Sequence, residues 1–115
     1  MPYLKLNTTE SISDEKSPQL LDQLSKLMAQ QTGKPERYVM VQIEGGKGML
    51  FAGNDQPLAY AECKSIGLTA AQAKAISSSL CRLLNDTLQI PADRVYIEFS
   101  NCPAEYWGWN GSTFG

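Results

Sequence analysis

Lys34-Pro35-Glu36-Arg37-Tyr38-Val39-Met40-Val41-Gln42-Ile43 and Ile90-Pro91-Ala92-Asp93-Arg94-Val95-Tyr96-Ile97-Glu98-Phe99 carry one pattern twice. In both stretches a proline leads into three apolar residues at alternate positions, and the two prolines stand 56 residues apart, at positions 35 and 91. Apolar residues at every second position predict a strand with one buried face. A strand that recurs half a chain length later indicates that the chain consists of two similar units.

The same offset relates two apolar stripes that precede these strands, and each stripe predicts an amphipathic helix. We expect Ser17 to cap the first helix and Gly33 to end it. Thr69 with Gln72 forms a capping-box pattern at the start of the second helix, and Pro91 lies beyond its end. The stripes are Leu20, Leu21, Leu24, Leu27 and Met28 in the first unit, and Ile76, Leu80, Leu83, Leu84 and Leu88 in the second.

A short strand is expected to open each unit, over residues 2–7 and 58–65, with Pro2 aligned on Pro57. Two parallel strands of one sheet that are connected by a helix make a β-α-β unit, and the handedness of this connection is nearly invariant. The sequence therefore predicts a single domain over residues 1–115, with pseudo-repeats 2–56 and 57–115. Its class is α/β (α+β in some schemes), with a four-stranded sheet and both helices on one face.

The opposite face of this sheet has a mixed polarity that is typical of neither plain surface nor plain core. The alternation directs Val39, Val41, Ile43, Val95, Ile97 and Phe99 at the helices. It leaves Tyr38, Met40, Gln42, Tyr96 and Glu98 on the other side. Such a face indicates either a subunit interface or a site.

Composition narrows the possible partners and chemistry. The net charge of −2 and the lack of a Lys/Arg cluster argue against a nucleic-acid or membrane partner. No signal peptide or membrane span is evident, which favours a cytoplasmic location. The three cysteines, Cys63, Cys81 and Cys102, form no C-x-x-C pair and are expected to be buried, inert thiols.

Histidine is absent, which removes histidine bases, histidine nucleophile pairs and histidine metal ligands, so no metal site is expected. Acid–base chemistry near neutral pH then requires a perturbed side chain or the α-amino group, whose ordinary pKa is about 7.7–8.0. Pro2 follows Met1, so removal of Met1 leaves a secondary amine at Pro2. Burial or a nearby cation would lower the pKa of this amine towards neutral pH. The alternative is that Pro2 only begins an edge strand.

Several motifs together decide between these alternatives. They are Pro2, Thr32-Gly33-Lys34-Pro35, Tyr38, Ser65-Ile66-Gly67, Pro91-Ala92-Asp93-Arg94-Val95-Tyr96-Ile97 and Gly108-Trp109-Asn110-Gly111-Ser112-Thr113-Phe114. In these motifs, over nearly its whole length, the chain resembles the macrophage migration inhibitory factor family of the tautomerase superfamily.

The resemblance implies a homotrimer with three sites at subunit boundaries. It implies a cofactor-independent keto–enol tautomerase that acts on aromatic α-keto acids such as phenylpyruvate. The alternative within the same family is a cytokine-like signalling or binding protein with weak or vestigial tautomerase activity. Some relatives of this kind are exported from the cell without a leader sequence.

The resemblance also implies a role for each matching residue. Pro2 would accept and donate the proton, and Lys34 would hold the substrate carboxylate or polarise its oxygen. Ile66 would line the pocket through its backbone, and Tyr96 would reach in from a neighbouring subunit as a hydroxyl donor. The pocket walls would be Tyr38, Trp109 and Phe114.

Three departures from the family pattern bear on this expectation. Glu98, in the substrate-binding set, replaces an Asn, and its carboxylate would oppose an anionic substrate and raise the pKa of Pro2. Trp107 stands where Val is frequent, which would narrow the pocket mouth. The C-x-x-C motif of some relatives is Leu58-Ala59-Tyr60-Ala61 here, so no thiol oxidoreductase activity is expected.

Overall fold

The computed structural model describes residues 1–115, and it contains two β-α-β units followed by a small hairpin. The first unit is β1 (Tyr3–Thr8), α1 (Lys16–Thr32) and β2 (Met40–Glu44). The second is β3 (Ala59–Ile66), α2 (Ala70–Leu88) and β4 (Val95–Cys102). The hairpin is β5 (Gly108–Trp109) and β6 (Ser112–Thr113). A 3₁₀ turn precedes each closing strand, at Glu36–Tyr38 and at Ala92–Arg94.

The four long strands form one mixed sheet in the order β2-β1-β3-β4. Each unit contributes a parallel pair, β1 with β2 and β3 with β4, and the units join through the antiparallel pair of β1 and β3. Parallel strands require a crossover, and the helix of each unit supplies it. The predicted fold class is therefore confirmed, with both helices packed on one face of the sheet.

The core lies between this face and the two helices. Alternate residues of β1 and β3 are fully buried, and the apolar stripes of both helices cover them. Leu21, which was expected in the first stripe, is only half-buried and lies outside this core. The six alternating apolar residues of β2 and β4 are half-buried and pack against the same core, as predicted. The innermost side chains are Leu4, Leu6, Ala61, Cys63, Leu24, Met28, Ile76, Leu80 and Leu84.

The helix ends match the sequence in three of four places. Gly33 ends α1 in a left-handed conformation with φ of 70°. Thr69 and Gln72 form the capping box of α2, and α2 ends at Leu88, with Gln89 as its C-cap, before Pro91. The cap expected at Ser17 is wrong, because α1 already begins at Lys16 and has no side-chain cap. Neither helix is long and apolar enough to cross a membrane.

The alignment of Pro2 with Pro57 is also wrong. Tyr3 is in register with Met40, and its counterpart Tyr60 is in register with Tyr96, so Pro2 corresponds to Ala59 rather than to Pro57. The error is two residues, and an even shift leaves every side chain on its original face of the strand. The hydrophobic pattern alone could not detect it, and only the strand register decides it.

The long connection between β2 and β3 is held against the sheet by Arg94. Its guanidinium donates to four backbone carbonyls of this connection, at distances of 3.0 to 3.2 Å. The same group lies 5.2 Å from the centre of the Phe51 ring, and that ring lies 4.7 Å from Tyr96. One arginine therefore fixes a loop that has little regular structure of its own. The four acceptors are the carbonyls of Phe51, Asn54, Gln56 and Pro57.

Candidate active site

Pro2 lies at the start of β1, with its side chain fully buried. Its carbonyl accepts a hydrogen bond of 3.0 Å from the Met40 backbone N–H, which anchors it to the adjacent strand β2. Met1 and Pro2 both line a cleft of about 720 Å³, a volume common for small-molecule sites. The amino terminus of the chain is thus built into a cavity wall and is held there by the sheet.

Six aromatic residues line the rest of this cleft, and three of their rings are packed together. The Tyr38 ring meets Trp109 edge-on at 5.6 Å and Phe114 edge-on at 6.2 Å. Trp109 and Phe114 are stacked, with their centres 5.6 Å apart and 11° between their planes. The structure therefore brings Pro2 and the three predicted wall residues together around one cavity.

The C-terminal hairpin carries two of these rings, and the sequence analysis did not predict it. Its turn is Asn110-Gly111, where both residues have positive φ, at 53° and 78°. The Phe114 backbone N–H also donates to the Trp107 carbonyl, at 3.1 Å. An Asn-Gly pair between strands favours this type of turn, so the signal was present in the sequence.

The electrostatics of the cleft favour an unprotonated amine. Burial, and then the positive charge of Lys34, lowers the pKa of the Met1 amino group below its ordinary value. Lys34 itself is not among the residues that line the cleft, but its charge reaches the terminus from the end of α1. Both effects act at the chain start, next to Pro2.

Three predicted site residues lie elsewhere on the sheet. Ile66 ends β3 and is in register with Cys102, which lines the cleft. Glu98 and Tyr96 are exposed on the outer face of β4, aligned with Lys5 and Asn7 through β3. Tyr96 is two strands away from β1 and aligned with Asn7, which is five residues from Pro2. At about 3.3 Å per residue along a strand and about 4.8 Å between strands, Tyr96 lies roughly 15–20 Å from Pro2 of the same chain.

Glu98 has a second carboxylate beside it. Glu62 is its register partner on β3, and both face away from the helices. The Tyr60 phenol beside them has its pKa raised, first by desolvation and then by the charges of Glu62 and Glu98. This part of the outer face is acidic, whereas no carboxylate lines the cleft at Pro2.

The cysteines differ from one another, which corrects the expectation of three buried thiols. Cys63 is fully buried in the core, and desolvation raises its pKa to about 11. Cys81 is half-buried, and desolvation raises its pKa as well. Cys102 lies in the cleft wall. Cys102 is the last residue of β4 and is partly accessible, which its local sequence does not reveal.

Several lining residues had no place in the predicted site. They are Tyr3, Arg37, Met40, Lys64, Cys102 and Tyr106. Trp107, noted only for its effect on the pocket mouth, also lines the cleft. They come from all four strands of the sheet, from the turn before β2 and from the C-terminal segment, so their proximity becomes apparent only when the sheet order is known.

A pair of β-α-β units joined through their first strands is the arrangement of the tautomerase fold. The family model described as macrophage migration inhibitory factor (MIF) matches residues 1–115. The chain belongs to the macrophage migration inhibitory factor family, as its sequence motifs indicated.

Individual relatives match over the full length of the chain. It is 39% identical over 119 residues to the macrophage migration inhibitory factor homolog of Brugia malayi, covering 100% of both. It is 40% identical over 116 residues to the Mus musculus factor, covering 99% of both. The solved structure of the Prochlorococcus marinus homologue is similar with a TM-score of 0.93 and 41% identity, over 98% of this chain and 99% of that one. Both halves of the fold are therefore shared with these proteins.

Proposed function

We propose that this protein is a keto–enol tautomerase for aromatic α-keto acids such as phenylpyruvate, with the Pro2 amine as its base after Met1 is removed. The observation that carries the proposal is that Pro2 is buried in an aromatic cleft, next to a Met1 amine whose pKa is lowered by burial and by Lys34. We expect the same surroundings to lower the pKa of the Pro2 amine once Met1 is removed. A base that is unprotonated near neutral pH is what removal of a proton next to a carbonyl requires.

The reaction needs one proton to move between carbon and oxygen. In the keto form, the Pro2 nitrogen accepts a proton from the carbon beside the keto group. The C–H electron pair becomes the new C=C bond, the carbonyl π pair moves to oxygen, and that oxygen takes a proton from a hydroxyl donor or solvent. In the reverse direction the protonated amine returns its proton to carbon, and the enol oxygen releases its own.

The remaining residues assist this transfer. Lys34 is the cation that holds the substrate carboxylate and favours the neutral amine. The rings of Tyr38, Trp109 and Phe114 accept the aromatic part of the substrate and exclude water, which strengthens the electrostatic interactions inside the cleft. Ile66 lines the adjoining edge through its backbone.

A homotrimer completes the proposed site. Tyr96 is too far from Pro2 of its own chain to act there, so its hydroxyl serves a site only if it belongs to another copy. The exposed outer face of the sheet, with Met40 66% and Tyr96 67% accessible, is the surface available for that contact. Sedimentation should give three times the chain mass at micromolar concentration, and a stable monomer would remove Tyr96 and Glu98 from the site.

The role of Pro2 as the base is tested by measuring the reaction rate with and without it. Intact mass establishes whether Met1 is absent, and the ketonisation of enol phenylpyruvate is then measured for the native protein and for Pro2→Gly. We expect Pro2→Gly to lose at least about 100-fold, the range that a positioned base contributes. Lys74→Gln on the exposed side of α2 should leave the rate unchanged. A Pro2→Gly variant as fast as the native protein would contradict the mechanism.

A signalling role is the second candidate, since curated relatives carry the name of a migration inhibitory factor. In that case the exposed sheet face or loops would bind a partner, and Glu98 in place of Asn would leave only vestigial catalysis. The Pro2→Ala variant separates the two functions. It should lose tautomerase activity, and it should keep partner binding only if signalling is independent of the base.

A further inference from the structure

Arg37 differs from the other arginine held in place by the fold, Arg94. The Arg94 guanidinium has four carbonyl partners, whereas that of Arg37 forms no hydrogen bond or ion pair. Arg37 instead lies over the Tyr38 ring, 4.8 Å from its centre, at the edge of the Pro2 cleft. Stacking on an aromatic ring orients a guanidinium and leaves its planar set of donors available to a ligand.

The charge of the cleft is positive, although the protein as a whole has a net charge of −2. Arg37 and Lys64 line the cleft, and none of its lining residues is acidic. Lys64 has a partner, because the Glu62 carboxylate lies 3.9 Å from its Nζ. Arg37 is therefore the lining cation without a countercharge, which makes it the group most available to bind an anion.

The position of Arg37 relative to Pro2 determines which part of a substrate it can reach. Met40 is hydrogen-bonded to the Pro2 carbonyl, and Arg37 precedes Met40 by three residues, which span at most about 10 Å. The Tyr38 ring, over which Arg37 lies, contacts the stacked Trp109 and Phe114 rings. A flat substrate with its reacting carbon at Pro2 would extend along this aromatic wall towards Arg37.

We propose that Arg37 is a specificity-determining residue that binds an acidic group at the far end of the substrate. Lys34 takes the carboxylate next to the keto group, and Arg37 takes a second carboxylate beyond the aromatic ring. The preferred substrates are then aromatic α-keto acids with two acidic groups. An arginine binds a carboxylate through two parallel N–H···O bonds, which a lysine cannot reproduce. This inference rests on the proposed function and refines its substrate class.

The decisive experiment compares phenylpyruvate with 4-carboxyphenylpyruvate. We expect native kcat/KM to be at least about tenfold higher for the dicarboxylate, in line with one charged, bidentate contact. Arg37→Gln should abolish this preference through KM, because its kcat/KM should fall at least about tenfold further for the dicarboxylate than for phenylpyruvate. Arg37→Lys should keep part of the preference. Arg82→Gln, which makes the same charge change on the exposed side of α2, should keep all of it.

Two outcomes would overturn the inference: a native protein with no preference for the dicarboxylate, or an Arg37→Gln variant that loses both substrates equally. Binding without turnover separates this failure from failure of the proposed function. If the native protein ketonises neither substrate, the dissociation constants of 4-carboxyphenylacetate and phenylacetate are measured by NMR titration. A preference for the dicarboxylate that disappears in Arg37→Gln then upholds the role of Arg37, and equal affinities refute it.

Discussion

Replacing Arg94 by Met removes the clamp on the loop between β2 and β3 and keeps most of the aliphatic stem. Two of the four hydrogen bonds, to Asn54 and Gln56, are exposed, so water replaces them at little cost. The other two, from Nε to the Pro57 carbonyl at 3.1 Å and from Nη1 to the Phe51 carbonyl at 3.2 Å, are half-buried. At about 1.5 kcal/mol each, their loss lowers the free energy of unfolding by about 3 kcal/mol.

Thermal and urea unfolding measure this loss, at one protein concentration because association changes apparent stability. A change of about 3 kcal/mol corresponds to a fall in Tm of about 12 °C, at about 4 °C per kcal/mol. Amide hydrogen exchange should accelerate first in residues 51–57, whose carbonyls lose their donor. Arg94→Lys keeps the charge without the planar set of donors, and we expect it to recover less than half of the stability.

Arg82→Met is the matched control, because Arg82 is exposed on α2 and makes no hydrogen bond or ion pair. It should unfold within about 0.5 kcal/mol of the native protein, as surface substitutions usually do. If Arg94→Met melts within 2 °C of the native protein, or if Arg94→Lys is fully stable, the four-carbonyl clamp contributes nothing to folding and our reasoning about this loop is wrong.

Three further predictions concern charge, thiols and the core. Enolisation, followed as deuterium uptake at the carbon beside the keto group, needs the neutral Pro2 amine, so its rate should rise with pH and level off once the amine has lost its proton. Since the charge of Lys34 lowers the pKa of an amine at the chain start, Lys34→Gln should shift this rise to higher pH, and an unmoved profile would exclude its charge effect. With its pKa at about 11, Cys63 should react with a thiol reagent at pH 8 only after unfolding, whereas Cys102 reacts in the native protein; a single rate for all three thiols would contradict this order. Leu24→Ala should lower the free energy of unfolding by about 2.5–5 kcal/mol, because Leu24 is fully buried. The half-buried control Leu21→Ala should lower it by less than half as much, and equal losses in urea unfolding would refute the assignment of the core.

The sequence was sufficient for the architecture because local patterns and burial agree in it. The doubled alternation at residues 39–43 and 95–99 predicts the closing strands, and the two apolar stripes predict the helices that cover them. The capping box at Thr69 and the glycine at position 33 define helix ends through local backbone chemistry alone. Features of this kind depend on residues within a few positions of each other, so they can be recognised in the sequence alone.

The family motifs also placed Pro2 and the aromatic wall in one site. They missed Arg37, Lys64 and Tyr106, and placed Cys102 among the inert thiols. These residues come from four separate segments, and nothing in their local sequence marks them as neighbours. Likewise, the two-residue error in the alignment of the first strands left the inward and outward faces unchanged, so no hydrophobic pattern could expose it.

The linear order of residues thus determined which segments become strands and helices, which of their faces are buried, and that a proline stands at the chain start. Only the tertiary structure decided the strand order β2-β1-β3-β4, the register of β3, and the folding of the C-terminal hairpin onto Tyr38. The physical reason is that secondary structure follows from contacts a few residues apart. A cleft follows from side chains that are distant in sequence, and their proximity depends on how the whole chain packs.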